Sequence, residues 1–243
     1  MHRKLAFSGI LWALMAASAS AQEAPPAQDA GTHEAHGAAL FSQIVIEAGF
    51  VHEDGGRWTW EVDGWVGGDS ERIWIRSEGE ITDGKADHAE AQAFYGWNIH
   101  PFWDVLAGIR QDFEPDGETW LAAGITGLAP YFFETDVTAF LSTNGDAALR
   151  FEQSFDLLIT QKLIAEPHVE LNLYVQDMPS RGIGAGFSDV EASIQLRYEF
   201  TRKIAPYAEI SWERDLGETA GMTRAAGGDV EETTTSFGLR FWF

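Results

Sequence analysis

The sequence contains no cysteine, so disulfides contribute nothing to its stability and thiolate metal sites are excluded. Basic residues are scarce: 16 Lys and Arg stand against 38 Asp and Glu, for a formal charge of −22. Such a chain repels phosphate, which excludes nucleic acid as a partner and favours cations or a solvated, charge-lined cavity. Beyond the N-terminal region, no apolar run approaches the roughly 20 residues that a membrane-spanning helix needs. A helical inner-membrane protein is thereby excluded. Apolar residues are not in short supply: 45% of the chain is hydrophobic and 13% aromatic. The charge therefore does not signify disorder and must be segregated in space from the apolar surface.

What is present begins with Arg3 and Lys4, the apolar stretch Leu5 to Ala17, and the small residues Ala19-Ser20-Ala21. Residues 1–21 have the pattern of a secretory signal peptide, with cleavage expected before Gln22. The signal carries two basic residues and no acid, so the mature chain is more acidic still. Residues 22–40 are rich in Ala, Pro, Gln, Glu and Gly without apolar periodicity, and are expected to form a flexible periplasmic segment.

From Phe41 the texture changes to short segments with a period of two, which places successive side chains on opposite faces of a strand. Ile44, Ile46, Ala48 and Phe50 alternate around Glu47, and Trp58, Trp60 and Val62 around Glu61 and Asp63. The pattern recurs through Ile73–Arg76, Glu90–Asn98, Asp104–Arg110, Phe133–Ala139, Phe151–Ile159, Val169–Gln176, Glu191–Glu199, Ala208–Glu213 and Ser236–Phe243. With the mostly apolar Leu121–Ile125, whose facing is ambiguous, residues 41–243 make twelve strands, or ten if a weak segment fails.

The expected fold is all-β, a closed antiparallel transmembrane barrel. Charge is confined to one face along nearly the whole chain, as a lipid-facing exterior and polar lumen demand. Short connections at Gly67-Gly68, Pro101, Pro130, Pro167 and Pro206 alternate with longer ones, notably Asp177–Asp189 and Asp215–Glu231. Short turns at one rim and long loops at the other are expected of bacterial outer-membrane barrels, and an even strand count puts both termini on the periplasmic side. The chain also ends in Phe241-Trp242-Phe243, resembling the terminal aromatic by which such barrels are recognised for assembly.

Particular strings add a family. Gly64-Trp65-Val66-Gly67-Gly68, Ser77-Glu78-Gly79, Gly127-Leu128-Ala129-Pro130-Tyr131 and Asp156-Leu157-Leu158-Ile159-Thr160-Gln161 resemble the copper-resistance protein B family. So do Arg181-Gly182-Ile183-Gly184, Ser211-Trp212-Glu213-Arg214 and Arg224-Ala225-Ala226-Gly227, in one order across residues 41–243. The resemblance implies an outer-membrane barrel, set in lipid, that binds copper ions or supports their export or sequestration. It also implies a periplasmic multicopper oxidase as a partner. Members often carry a long Met- and His-rich segment before the barrel. Here residues 22–40 hold no Met and only His33 and His36.

His33 and His36 flank Glu34, a donor set suited to Cu(II), and Met178 and Met222 lie in the two long loops, where thioether sulfur would suit Cu(I). His52 and His88 are expected near the outer rim, and His100 and His168 beside periplasmic turns, each as a surface side chain. The alternation points sixteen acids inward: Glu47, Glu61, Asp63, Glu78, Glu90, Asp104, Asp112, Glu134, Asp136, Glu152, Asp156, Glu170, Glu191, Glu199, Glu209 and Glu213. Arg72, Arg76, Arg110, Arg150, Arg197 and Arg240 join them. Pairing can plug a narrow barrel with these charges. The excess of acid, however, attracts cations, and a general small-cation pore is the alternative function. Trp58, Trp60, Trp97, Trp103, Trp120, Tyr131, Tyr207 and Trp212 are expected in the interfacial girdles, with Trp65 and Trp74 packed inside. An enzyme is not expected: G-x-S-x-G and H-E-x-x-H do not occur, and Ser154 and His168 are expected at opposite ends of neighbouring strands. A hydrolase is the remaining alternative.

Overall fold

The computed structural model describes residues 40–52 and 56–243. The expected signal peptide, most of the segment expected after it, and His33 and His36 lie outside the described residues. The alternating segments form β1 (Phe41–Val51), β2 (Arg57–Gly67), β3 (Glu71–Thr82), β4 (Lys85–His100), β5 (Trp103–Glu114) and β6 (Glu118–Ala129). They continue as β7 (Phe133–Ser142), β8 (Ala147–Ser154), β9 (Leu157–Leu158), β10 (Leu163–Tyr174), β11 (Gly186–Tyr198), β12 (Ile204–Asp215) and β13 (Glu231–Trp242). One helix, α1 (Gly217–Ala226), lies between the last two strands.

Successive strands pair antiparallel, except that β8 and β9 both pair with β10, and β13 returns to β1 over Val45↔Trp242 to Val51↔Ser236. The two-residue β9 extends β8 along the same edge of β10, so thirteen segments make twelve staves. Closure leaves no unpaired edge, which a sheet in hydrocarbon cannot tolerate. No helix among the described residues is long and apolar enough to cross a membrane, and apart from β8 and β9 the strands have 10–16 residues, enough for the roughly 9–11 that a tilted crossing takes.

Phe41 and Phe243 share one rim, here the terminal rim, where Phe243 exchanges backbone hydrogen bonds with Ile44 at 2.9 and 3.0 Å. The two longest connections, residues 175–185 and 216–230, lie at the opposite rim, as expected. The third connection is not long. It is the two-residue turn Asp83-Gly84, with φ of 52° and 76°, and such a pair closes a tight hairpin whose twist matches its strands.

Two prolines read as turns lie inside strands instead. Pro167 pairs with Ile194 in β10, at the gap between the β8 and β9 ladders, where Phe155 N–H donates to its carbonyl at 3.3 Å. Its missing N–H faces that gap and breaks no bond. Pro206 precedes Tyr207, the first β12 residue paired with β11.

The outer surface is an apolar belt that includes Ile73, Ile75, Leu121, Ile194, Ile210 and Phe237, all exposed. Leu121 settles the ambiguous segment: it faces out, between buried Trp120 and Ala122. Trp120 and Tyr207 are therefore lumen residues, not girdle residues, since their parity matches that of the acids. Some positions in the wall leave no room for a side chain. A Cβ on Gly108 would press on the backbone of Ala93 and Phe94 in β4, which no rotamer change relieves. Gly108→Ala is expected to destabilise the barrel by about 1–3 kcal/mol, seen as a lower urea midpoint in detergent.

Candidate metal-handling lumen

The interior has two unlike halves. Against β4 to β7, Phe94, Leu106, Trp120, Ala122 and Phe140 form a buried apolar cluster, joined by Met178 from the 175–185 connection. That connection folds inward and seals this half at the opposite rim. Met178 N–H donates to Ile183 O at 2.7 Å, and Gly184 N–H to Thr219 Oγ of α1 at 2.9 Å. Arg181 reaches down to Asp112 at 2.8 Å and Glu118 at 3.0 Å. Burial disfavours its charge, but the hydrogen bond and charge of Asp112 outweigh this and raise its pKa. Met178 is therefore a core residue at 7% exposure, not an available loop ligand, and Met222 lies on α1.

The other half is open and acidic, and its register is the notable feature. Asp136, Glu152, Glu170, Glu191, Glu213 and Glu232 stand opposite one another in successive staves from β7 to β13. Glu47, Glu61, Glu78, Glu90, Asp112 and Glu118 do the same from β1 to β6. Strands tilt in a barrel, so a row that follows the hydrogen bonds climbs along the axis. The first row rises from near the terminal rim to Glu232, at the opposite-rim end of β13. The second rises from mid-β1 to Glu118, at the opposite-rim end of β6.

Like charges directly opposite destabilise a sheet, so these rows need partners. Arg110 binds Glu90 and Asp112, both at 2.6 Å. Arg150 reaches Glu78 at 3.2 Å, Glu170 at 3.4 Å, Glu90 at 3.5 Å and Glu152 at 3.8 Å. Arg76 joins Asp63 and Asp136, Arg72 holds Asp104 at 2.7 Å, Arg240 joins Glu47 and Glu166, and Arg197 joins Asp156 and Glu166. All six arginines expected to face inward are thereby engaged. Among the described residues, no side-chain hydrogen bond or ion pair reaches Glu61, Glu134, Glu191, Glu199, Glu209 or Glu213.

These six glutamates line two water-accessible cavities of about 550 and 650 Å³, toward the opposite and the terminal rim respectively. The cavities meet at a waist lined by Glu47, Glu61, Glu78, Glu170, Glu191, Glu209 and Arg150. Asp104 and Asp112 are instead buried beside the filled half. Sequence reading missed Glu80, Glu118, Glu166, Asp189 and Glu232, and the cationic Arg57 and Arg181. Each acid lies at or beyond a strand end that was drawn too short. Glu166 was lost with the misread Pro167, although its parity with Glu170 marks it as inward-facing.

Histidine placement also differs from expectation. His88 joins the lumen wall next to Glu78 and Glu90. His168 sits inside β10 directly opposite Ser154, at the same level and not at opposite ends. No hydrogen bond links the two among the described residues, so no nucleophile–base pair is formed.

Comparison with known proteins now adds to the geometry. Residues 41–243 match the family model described as Copper resistance protein B precursor (CopB). The chain belongs to the copper resistance protein B family. It is 45% identical over 186 residues to Copper resistance protein B of Escherichia coli, covering 76% of this chain and 63% of that protein. It is 42% identical over 214 residues to a Copper resistance protein B homolog of Pseudomonas syringae pv. tomato, covering 87% of this chain and 73% of the homolog. The chain thus spans about two thirds of the length of these relatives. Among solved structures, it resembles the NanC porin at a TM-score of 0.56 and 13% identity, over 82% of this chain and 98% of that one. The KdgM porin follows at 0.52 and 11%, over 82% and 99%. At such identities the likeness shows the fold alone: an outer-membrane barrel.

Proposed function

We propose that this protein supports copper resistance at the outer membrane by binding copper ions in its acidic lumen, or by passing them along it for export or sequestration. The observation that carries this reading is the group of unpaired glutamates at the waist of a barrel from a copper-resistance family. Carboxylates left without protein cations draw cations from water, and rings of them select cations in channels. The terminal rim and the segment holding His33 and His36 face the periplasm in this reading, where the imidazoles collect Cu(II). A periplasmic multicopper oxidase is the natural partner on that side. The role is non-enzymatic, in keeping with the family and the porin-like fold.

The test replaces Glu61, Glu191 and Glu209 together by Gln. These side chains hold no protein cation, so the variant is expected to fold at least as stably as the wild type. In a deletion strain it should nevertheless fail to restore survival in copper, whereas the wild type restores it. Full complementation by the triple variant would refute the lumen's role. A general cation pore is the second reading, favoured by the same acid excess. It would give an ion current in planar bilayers that is indifferent to copper, together with unaltered copper survival on deletion.

A further inference from the structure

His88 and Glu90 stand two apart on β4, so both side chains point inward, and Glu78 of β3 lies directly opposite Glu90. A register shift between Glu80 and Ile81 leaves Asp87 of β4 unpaired just before His88, the kind of irregularity that re-aims a side chain. His88 Nε2 lies 3.8 Å from Glu78 Oε1 and 3.7 Å from Glu90 Oε2. Both separations exceed hydrogen-bond reach of about 3.2 Å. They come within a few tenths of an ångström of two donors that share a first-row metal ion, since tetrahedral bonds of about 2.0–2.2 Å place ligand atoms roughly 3.3–3.6 Å apart. All three donor atoms lie within 4.8 Å of one another.

The imidazole is 38% exposed and opens to the cavity on the opposite-rim side of the waist. The two oxygens nearest the imidazole, Glu78 Oε1 and Glu90 Oε2, are also the ones that meet arginines. Arg110 fixes Glu90 at 2.6 Å and Arg150 fixes Glu78 at 3.2 Å, as outer partners orient metal ligands elsewhere. These guanidinium groups also take up part of the carboxylate charge, which weakens the grip on an ion. Weak holding suits a station on a path, because an ion that enters must also leave.

We infer that Glu78, His88 and Glu90 form a lumenal site for a divalent first-row cation, with water completing the coordination. One nitrogen and two carboxylate oxygens bind Cu(II) more tightly than the other ions of that series. The site rests on the reading that the lumen handles copper, but it is separate from the His33 and His36 pair.

The experiment titrates Cu(II) into detergent-purified full-length protein, with affinity and electron paramagnetic resonance as readouts. It compares the wild type, His33→Ala/His36→Ala, and that double variant with His88→Ala or Glu78→Gln added. The double variant should still bind copper with an imidazole nitrogen in the spectrum. Adding His88→Ala should remove the nitrogen signal and lower the affinity by at least about tenfold, and Glu78→Gln should lower the affinity while keeping the nitrogen. Among the described residues the polar groups nearest His88 Nε2 are Glu78 at 3.8 Å and Glu90 at 3.7 Å, beyond close hydrogen-bond reach, so unchanged heat-modifiable gel mobility should confirm folding. Equal binding with and without His88 overturns this site alone. Binding by the wild type but not by the double variant overturns it too, and places copper on the N-terminal segment. Absence of binding in every form overturns the copper reading as well.

Discussion

Arg150→Ala is expected to be the most damaging single substitution in the lumen, lowering stability by about 3–5 kcal/mol. The guanidinium is only 10% exposed and stands among Glu78, Glu90, Glu152 and Glu170. Among the described residues it is the one cation common to both acidic rows. Removal leaves four carboxylates facing one another, and Arg110 remains only for Glu90. Arg150→Lys should recover less than half of the loss, because a single ammonium cannot reach carboxylates on β3, β4, β8 and β10 as a planar fork does. Urea unfolding in detergent, followed by gel mobility, measures both. A loss under about 1 kcal/mol would mean that the rows are solvated well enough to need no partner.

Neighbouring residues of β12 should respond oppositely to the same change. Ile210 is 59% exposed near the middle of its strand, on the belt assigned to lipid. Ile210→Arg places a charge among acyl chains and is expected to cost about 2–4 kcal/mol. Ser211, one residue on, lines the acidic cavity beside Glu209 and Glu213. Ser211→Arg supplies a cation where carboxylates lack one and should be neutral or stabilising. Folding yields and unfolding midpoints in bilayers of defined lipid distinguish the two. Similar penalties at both positions would contradict the assigned facing.

Most of this architecture is legible in the sequence because a strand's period of two is unusually clean when one face meets lipid and the other water. Glu47 among Ile44, Ile46 and Ala48 reports its facing without further information. Strand ends were less legible. Proline suggested turns at Pro167 and Pro206, but the ladder tolerates it at a gap or before a pairing begins. Asp83-Gly84 has the chemistry of a tight hairpin, yet lies where the alternation of turn lengths suggests a longer loop. The lumen's apolar half was invisible, since Trp120 and Met178 pack there only because the 175–185 connection folds inward. Nor could facing alone bring His88 to Glu78. That depends on the register between β3 and β4, which composition and periodicity do not specify.

The two climbing rows give the physical content of the account. Six acids in successive staves are a costly way to build a barrel, and the arginines offset only part of that cost. What remains unpaired is a negative field along a watery axis. The absence of cysteine makes this field directly measurable, because any introduced thiol is unique. Single cysteines at Ala208, Glu209, Ile210 and Ser211 can be labelled in membranes with thiosulfonates of either charge. Positions 209 and 211 should react, faster with the cationic reagent, while 208 and 210 stay protected by lipid. Equal labelling at both parities, or faster labelling by the anionic reagent at 209 and 211, would contradict the acidic lumen on which the function rests.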